Sequence, residues 1–162
     1  MLNIYTCAFF GHRDFYTHLK CEEKLSVIVK DLIAKNEYVD FLVGRNGEFD
    51  QFVSSTILRT RRECFQGNSS LIWVLPYITA EYLNNQQSFE DYYDEIRICE
   101  KSSMAHFKAA MQIRNREMVD CADLIICYIE RDSGGAYQTL QYAKRQRKRI
   151  INLAIDDERG LT

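Results

Sequence analysis

Apolar and polar residues follow two rhythms along this chain, and the two take turns. Residues 3–10, with Ile4, Tyr5, Cys7, Phe9 and Phe10, form a short, mostly apolar run and predict a buried strand. Leu25, Ile28, Val29, Leu32 and Ile33 then recur at helical spacing, with Lys24, Lys30 and Lys35 off that face. The same exchange repeats. Residues 39–43 predict a second strand, and Phe49, Phe52, Val53 and Ile57 a second helix. Residues 71–75 predict a third strand, closed by Pro76 and Tyr77. A polar and aromatic passage follows over 78–94, of the length that carries function or a helix of its own, and 96–99 read as a short extra strand. Ser102 or Ser103 is expected to cap a helix through Met104, Phe107, Met111, Met118 and Ala122, whose methionine stripe reads as core. Residues 123–129 predict a fully apolar strand, Tyr137, Leu140, Gln141 and Ala143 a helix, and 150–155 the last strand. Such alternation predicts an α/β fold, a three-layer αβα sandwich around a mostly parallel sheet. A single domain is expected over 1–155, with a short polar tail over 156–162.

Composition narrows the class. The chain has 162 residues, of which 46% are hydrophobic, and one proline, so a packed core is expected and a linker is not. No run approaches the roughly 18 apolar residues of a membrane span, and no signal peptide is recognisable, so a cytoplasmic location off the membrane is expected. The formal net charge of −2 lacks the basic excess of a nucleic-acid coat, so nucleic acid is not expected as a partner. The six cysteines form no C-x-x-C pair and the three histidines show no ligand spacing. The cysteines read as small buried hydrophobes; neither a metal site nor a cofactor is expected.

Candidate chemistry gathers where the strands end. Gly11-His12-Arg13-Asp14 places a glycine, an imidazole, a guanidinium and a carboxylate at one strand terminus. Arg13 suits a phosphate and His12 suits proton transfer; alternatively Arg13 pairs with Asp14 and His12 binds backbone. Gly44, Asn46 and Gly47 form a second polar loop, and Asp50 in the helix after it either orients a ligand hydroxyl or sits favourably at the helix dipole. Asp132, Ser133, Gly134 and Gly135 open another helix, where backbone N–H groups suit an anion; the plainer reading is a turn capped by Asp132 or Ser133. Arg114 and Arg116 cannot share a helix face, so one at most points into a pocket. Tyr77, Tyr92 and Tyr93 suit either a nucleobase or the core edge. Arg59, Arg61 and Arg62, and the basic run 144–149, read as solvated helix ends. No G-x-G-x-x-G, G-x-x-x-x-G-K-[ST] or G-x-S-x-G occurs.

Taken together, Cys7-Ala8-Phe9-Phe10-Gly11-His12-Arg13-Asp14, Val43-Gly44-x-x-Gly47-x-Phe49-Asp50, Arg114-Asn115-x-x-Met118 and the 123–129 strand into Gly134-Gly135-Ala136 resemble the YpsA-like bacterial proteins. These belong to the SLOG superfamily, with the LOG-type cytokinin-activating hydrolases and the DprA-like Rossmann folds. The resemblance spans nearly the whole chain and implies a Rossmann-like fold. It also implies a nucleotide or nucleotide-derived ligand at the carboxyl edge of the sheet, and leaves a homodimer open. LOG-type relatives cleave a base from ribose monophosphate with a Gly-Gly-x-Gly-Thr loop closed by glutamate. Arg114 before Met118 and Gly134-Gly135 match that pattern; Ala136-Tyr137-Gln138 do not, and Gln138 or Gln141 stands near the glutamate position. A glutamine is no carboxylate base, so whether this chain is an enzyme stays open.

The expectation is therefore a sensor or regulatory protein for a nucleotide-like small molecule, ADP-ribose among the candidates. Its ligand residues would be Gly11, His12, Arg13, Gly44, Asn46, Gly47, Asp50, Arg114, Ser133, Gly134 and Gly135, with Arg13 and Arg114 on phosphate. A nucleotide glycosidase using His12, Asp50 or Asp132, and an interaction protein with a vestigial pocket, are the alternatives.

Overall fold

The computed structural model describes residues 1–16 and 18–155; the expected tail over 156–162 lies outside the described residues. The elements in order are β1 (Ile4–Gly11), α1 (Leu19–Lys35), β2 (Tyr38–Val43), α2 (Glu48–Arg62), β3 (Ser69–Leu75), α3 (Ala80–Asn84), α4 (Gln86–Tyr92), β4 (Glu95–Ile98), α5 (Glu100–Ser103), α6 (Phe107–Cys121), β5 (Leu124–Tyr128), α7 (Gly135–Arg145) and β6 (Arg149–Asn152). Each strand is followed by at least one helix before the next, the connection that parallel pairing needs. The six strands form one sheet in the order β4-β3-β2-β1-β5-β6, and every pairing is parallel.

β1 lies in the middle and is buried on both sides. Its Ala8 stands opposite Leu42 of β2 and Ile125 of β5. Because side chains alternate across a strand, the sheet feeds two cores. Phe9, Phe41, Leu71 and Ile126 pack beneath the apolar stripes of α1 and α2, through Leu25, Val29, Phe49 and Val53. Ala8, Phe10, Leu42 and Ile125 pack against Met118 and Val119 of α6 and Leu140 and Ala143 of α7. The expected three-layer α/β architecture is therefore present, with a wholly parallel sheet among the described residues.

One open reading closes and two expectations need correction. The passage over 78–94 has helices of its own, α3 and α4, and Tyr82, Phe89 and Tyr93 serve the core while Tyr92 is exposed. Trp73 meets Phe89 at 4.8 Å, Tyr93 at 5.3 Å and Tyr82 at 6.1 Å between ring centroids. The long methionine helix is broken. Ser102 Oγ donates to Pro76 O (2.5 Å) and Cys99 O (3.1 Å), fastening the single turn α5, and α6 starts afresh at Phe107 with His106 Nδ1 accepting from Lys108 N. The break resets the helical phase: Met104 is 84% exposed, while Met118 is 2% exposed in the core. Neither Ser102 nor Ser103 caps α6. The last strand is also shorter than expected, ending at Asn152.

Candidate functional site

After β1 the chain moves outward to β2 and β3, but from β4 it crosses back to place β5 on the other side of β1. The loops after β1 and β5 thus diverge and leave a crevice above the carboxyl ends of the strands, where open α/β sheets bind ligands. A cavity of about 420 Å³ lies there, a size that suits a small molecule. Gly11, His12, Arg13 and Asp14 line it from the first loop, and Gly44, Asn46, Gly47 and Asp50 from the β2–α2 turn. Arg114 comes from α6, and Arg131, Ser133, Gly134 and Gly135 from the β5–α7 loop. All the expected ligand residues meet in this one cavity. Asp132 is exposed and is not part of its lining.

Two helices begin at the cavity, and both begin at a glycine. Gly47 is the N-cap of α2 and Gly134 that of α7, and neither helix has a side-chain cap. The expectation of a cap from Asp132 or Ser133 is corrected: glycine occupies the capping position. At Gly47 the reason is space, since a Cβ would stand 2.5 Å from Arg13 Cα. Glu48 N donates to Arg13 O across the same contact (3.0 Å), locking two loops together. At Gly134 the reason is conformation: φ is 93° and ψ is 174°, a region that side-chain-bearing residues avoid. The first turn of α7 consequently presents backbone N–H groups to the cavity, together with the positive end of the helix dipole.

Arg114 sits at the back wall and is 3% exposed. Nε and Nη2 both donate to Asn115 Oδ1 (3.0 and 2.8 Å), Nη2 also to Met111 Sδ (2.9 Å), and Nη1 to Val74 O at 2.8 Å. Asn115 Nδ2 in turn donates to Thr139 Oγ1, which donates to Gly135 O. This relay ties α6 to the first turn of α7. Burial lowers the Arg114 pKa to about 10, opposed by the nearby Asp50 charge, so it stays cationic at neutral pH. Asp50 Oδ2 accepts from Asn46 N at 2.8 Å. Its carboxyl is held above the usual range by burial, against the Asn46 N–H and Arg114. Although mostly enclosed by protein, it keeps one side on the cavity. Arg116 lies over the Tyr142 ring on the outer surface, so only one arginine of that helix faces inward.

His12 serves the backbone. Its Nε2 accepts from Glu130 N (3.3 Å) and Arg131 N (3.4 Å), joining the loop after β1 to the loop after β5. Burial and the Arg131 charge lower its pKa, which favours the neutral ring that can accept. Asp14 pairs with Arg131 (2.7 Å), not with its neighbour Arg13. Arg13 makes no ion pair among the described residues; it is exposed and lines the cavity.

Met111, Gln112, Asn115 and Arg131 also line the site, and Thr139 supports it. Sequence reading passed over them. Met111 was within reach of it, since it lies three residues before Arg114 and so on the same helix face. Thr139 and Arg131 carry no local signal, because their partners are 24 and 117 residues away.

No family model matches the chain, and no curated protein matches it. Solved structures do. DNA processing protein A from Helicobacter pylori, described for a unique single-stranded DNA binding mode, aligns with a TM-score of 0.61 and 16% identity, over 90% of this chain and 63% of that one. DNA processing protein A (DprA) from Streptococcus pneumoniae aligns with a TM-score of 0.61 and 13% identity, over 91% of this chain and 49% of that one. The fold is DprA-like. At such identity the likeness is one of architecture, and the chain spans between about half and just under two thirds of the length of these neighbours. They overturn one expectation. Nucleic acid was set aside because the net charge is −2, yet a protein of this architecture binds single-stranded DNA. Net charge averages over a surface, whereas a polyanion responds to the local field, and Arg13 and Arg131 stand at this cavity. Among the described residues no helix is long and apolar enough to cross a membrane.

Proposed function

We propose that this chain binds a nucleotide-derived ligand of the ADP-ribose type in the cavity, as a sensor or regulatory protein of the YpsA-like kind. One observation carries the reading. The start of α7, without a side-chain cap behind Gly134, opens on the same cavity that the unpaired Arg13 lines. Backbone N–H groups at a helix start and a guanidinium are complementary to phosphate oxygens. The cavity lies at the strand-order reversal, where such ligands bind in open sheets. Glycosidase chemistry wants two cooperating carboxylates. Of the two carboxylates lining the cavity, Asp14 is engaged by Arg131, so binding is favoured over catalysis.

Thermal unfolding with ADP-ribose, AMP or a short single-stranded DNA tests this. A ligand at 100 times its Kd stabilises by about 2.7 kcal/mol, and about 2–4 °C per kcal/mol is expected for a chain of this size. The midpoint should rise by about 5–10 °C with ADP-ribose, and Arg13→Ala should remove most of that rise. No shift with ADP-ribose or AMP would overturn the reading, and a shift with DNA alone would give the cavity to nucleic acid instead.

A further inference from the structure

Gly44 follows β2, and two charged groups from other elements converge over its α-carbon. A Cβ there would stand 2.9 Å from Nη1 and 3.2 Å from Nη2 of Arg114, and 3.1 Å from Oδ2 of Asp50. The two charges nevertheless form no ion pair among the described residues. Each also keeps unused hydrogen-bonding capacity. Nη1 of Arg114 carries two N–H groups, and its one protein acceptor is Val74 O. Asp50 receives a single hydrogen bond, from Asn46 N to Oδ2, so Oδ1 has no donor among the described residues. Neither group is a buried orphan: Asp50 Oδ1 opens on the cavity that Arg114 also lines, so both are available to a partner on a ligand there.

The chemistry of that partner is restricted. It has to accept from a guanidinium and donate to a carboxylate. A phosphate oxygen at neutral pH accepts only, and Asp50 would repel it. An apolar group would leave both charged groups unmatched. A hydroxyl has one donor and two acceptor lone pairs. We infer that the cavity wall where Asp50 and Arg114 converge beside Gly44 receives a sugar hydroxyl of the ligand, so that Asp50 and Arg114 read the ribose while phosphate is left to Arg13 and the start of α7. The inference rests on the nucleotide reading above. It also reassigns Arg114, which the sequence placed on phosphate: with Nε and Nη2 committed to Asn115 Oδ1, no two-pronged fork remains.

The test is calorimetric titration of AMP, 2′-deoxy-AMP and 3′-deoxy-AMP into the parent protein, Asp50→Asn and Gly44→Ala. Ribose 5-phosphate and 2-deoxyribose 5-phosphate serve as base-free probes. The parent should bind AMP at least about 10-fold more tightly than one of the deoxy forms, the lower end for a hydrogen bond to a charged group. Asp50→Asn should weaken AMP and narrow that gap to about 3-fold or less. Gly44→Ala presses a methyl against Arg114 and Asp50, displacing both from the ligand, and should weaken AMP likewise. Equal binding of AMP and both deoxy forms by the parent overturns the inference and leaves the nucleotide reading standing. So does tighter binding by Asp50→Asn, which an amide donor would give to a phosphate. If none of the five probes binds, the inference falls, and the nucleotide reading falls with it when ADP-ribose also leaves the unfolding midpoint unchanged.

Discussion

Arg114 and Asp50 carry opposite consequences for stability. Arg114 satisfies Val74 O and Asn115 and faces a carboxylate, so its removal strands several enclosed groups at once. Arg114→Ala should lower the unfolding free energy by about 2–4 kcal/mol, from hydrogen bonds lost by a charged group and acceptors left unmatched, measured by urea titration. Asp50 behaves in the reverse sense. Its folded pKa is raised, so the native chain holds that proton more tightly than the unfolded chain does. Stability is therefore greatest below the ordinary aspartate value and declines as pH climbs from that value to the raised one. Asp50→Asn should abolish this decline, so its stability advantage over the parent should grow across that window and then level off; an advantage independent of pH would refute the assignment. His12 runs the other way again. Its folded pKa is depressed, so its stabilising contribution is present above the ordinary histidine value and disappears as pH falls through the depressed one.

The helices make their own predictions. Because α6 begins anew after His106, the methionines that the sequence aligned are unequal. Met118→Ala should cost about 2–5 kcal/mol as a buried deletion, whereas Met104→Gln should stay within about 0.5 kcal/mol as a surface change. Equal effects would restore the single long helix. Gly134→Ala should cost about 1–3 kcal/mol from backbone strain alone, because no atom stands within 4 Å of the added methyl. His12→Ala should quicken hydrogen exchange at the Glu130 and Arg131 amides, which would lose their acceptor, and leave the β1–β2 ladder protected.

Strand and helix alternation was sufficient to read the three layers, since each apolar run between turn signals became a strand of the sheet. The candidate loops were readable too, because Gly11, Gly44 and Gly134 each follow such a run. Capping, by contrast, was misread at α6 and α7. Serine and aspartate side chains suggest caps locally, but Ser102 is drawn to Pro76 O by tertiary packing and the cap of α7 is a glycine. What Arg114 does was also beyond local pattern, because its acceptor Val74 O is 40 residues away. Net charge was a poor ground for setting nucleic acid aside, because it carries no information about position.

The pairing of β1 with β5 has one more consequence. The two strands that frame the crevice meet through partners such as Ala8 and Ile125, drawn from opposite ends of the chain. During synthesis the amino-terminal half can emerge and collapse with its own helices, yet no binding surface exists until β5 and the turn after it have left the ribosome. On the proposed reading ligand capture is thus a late event, and a nascent chain halted before Gly134 would not bind.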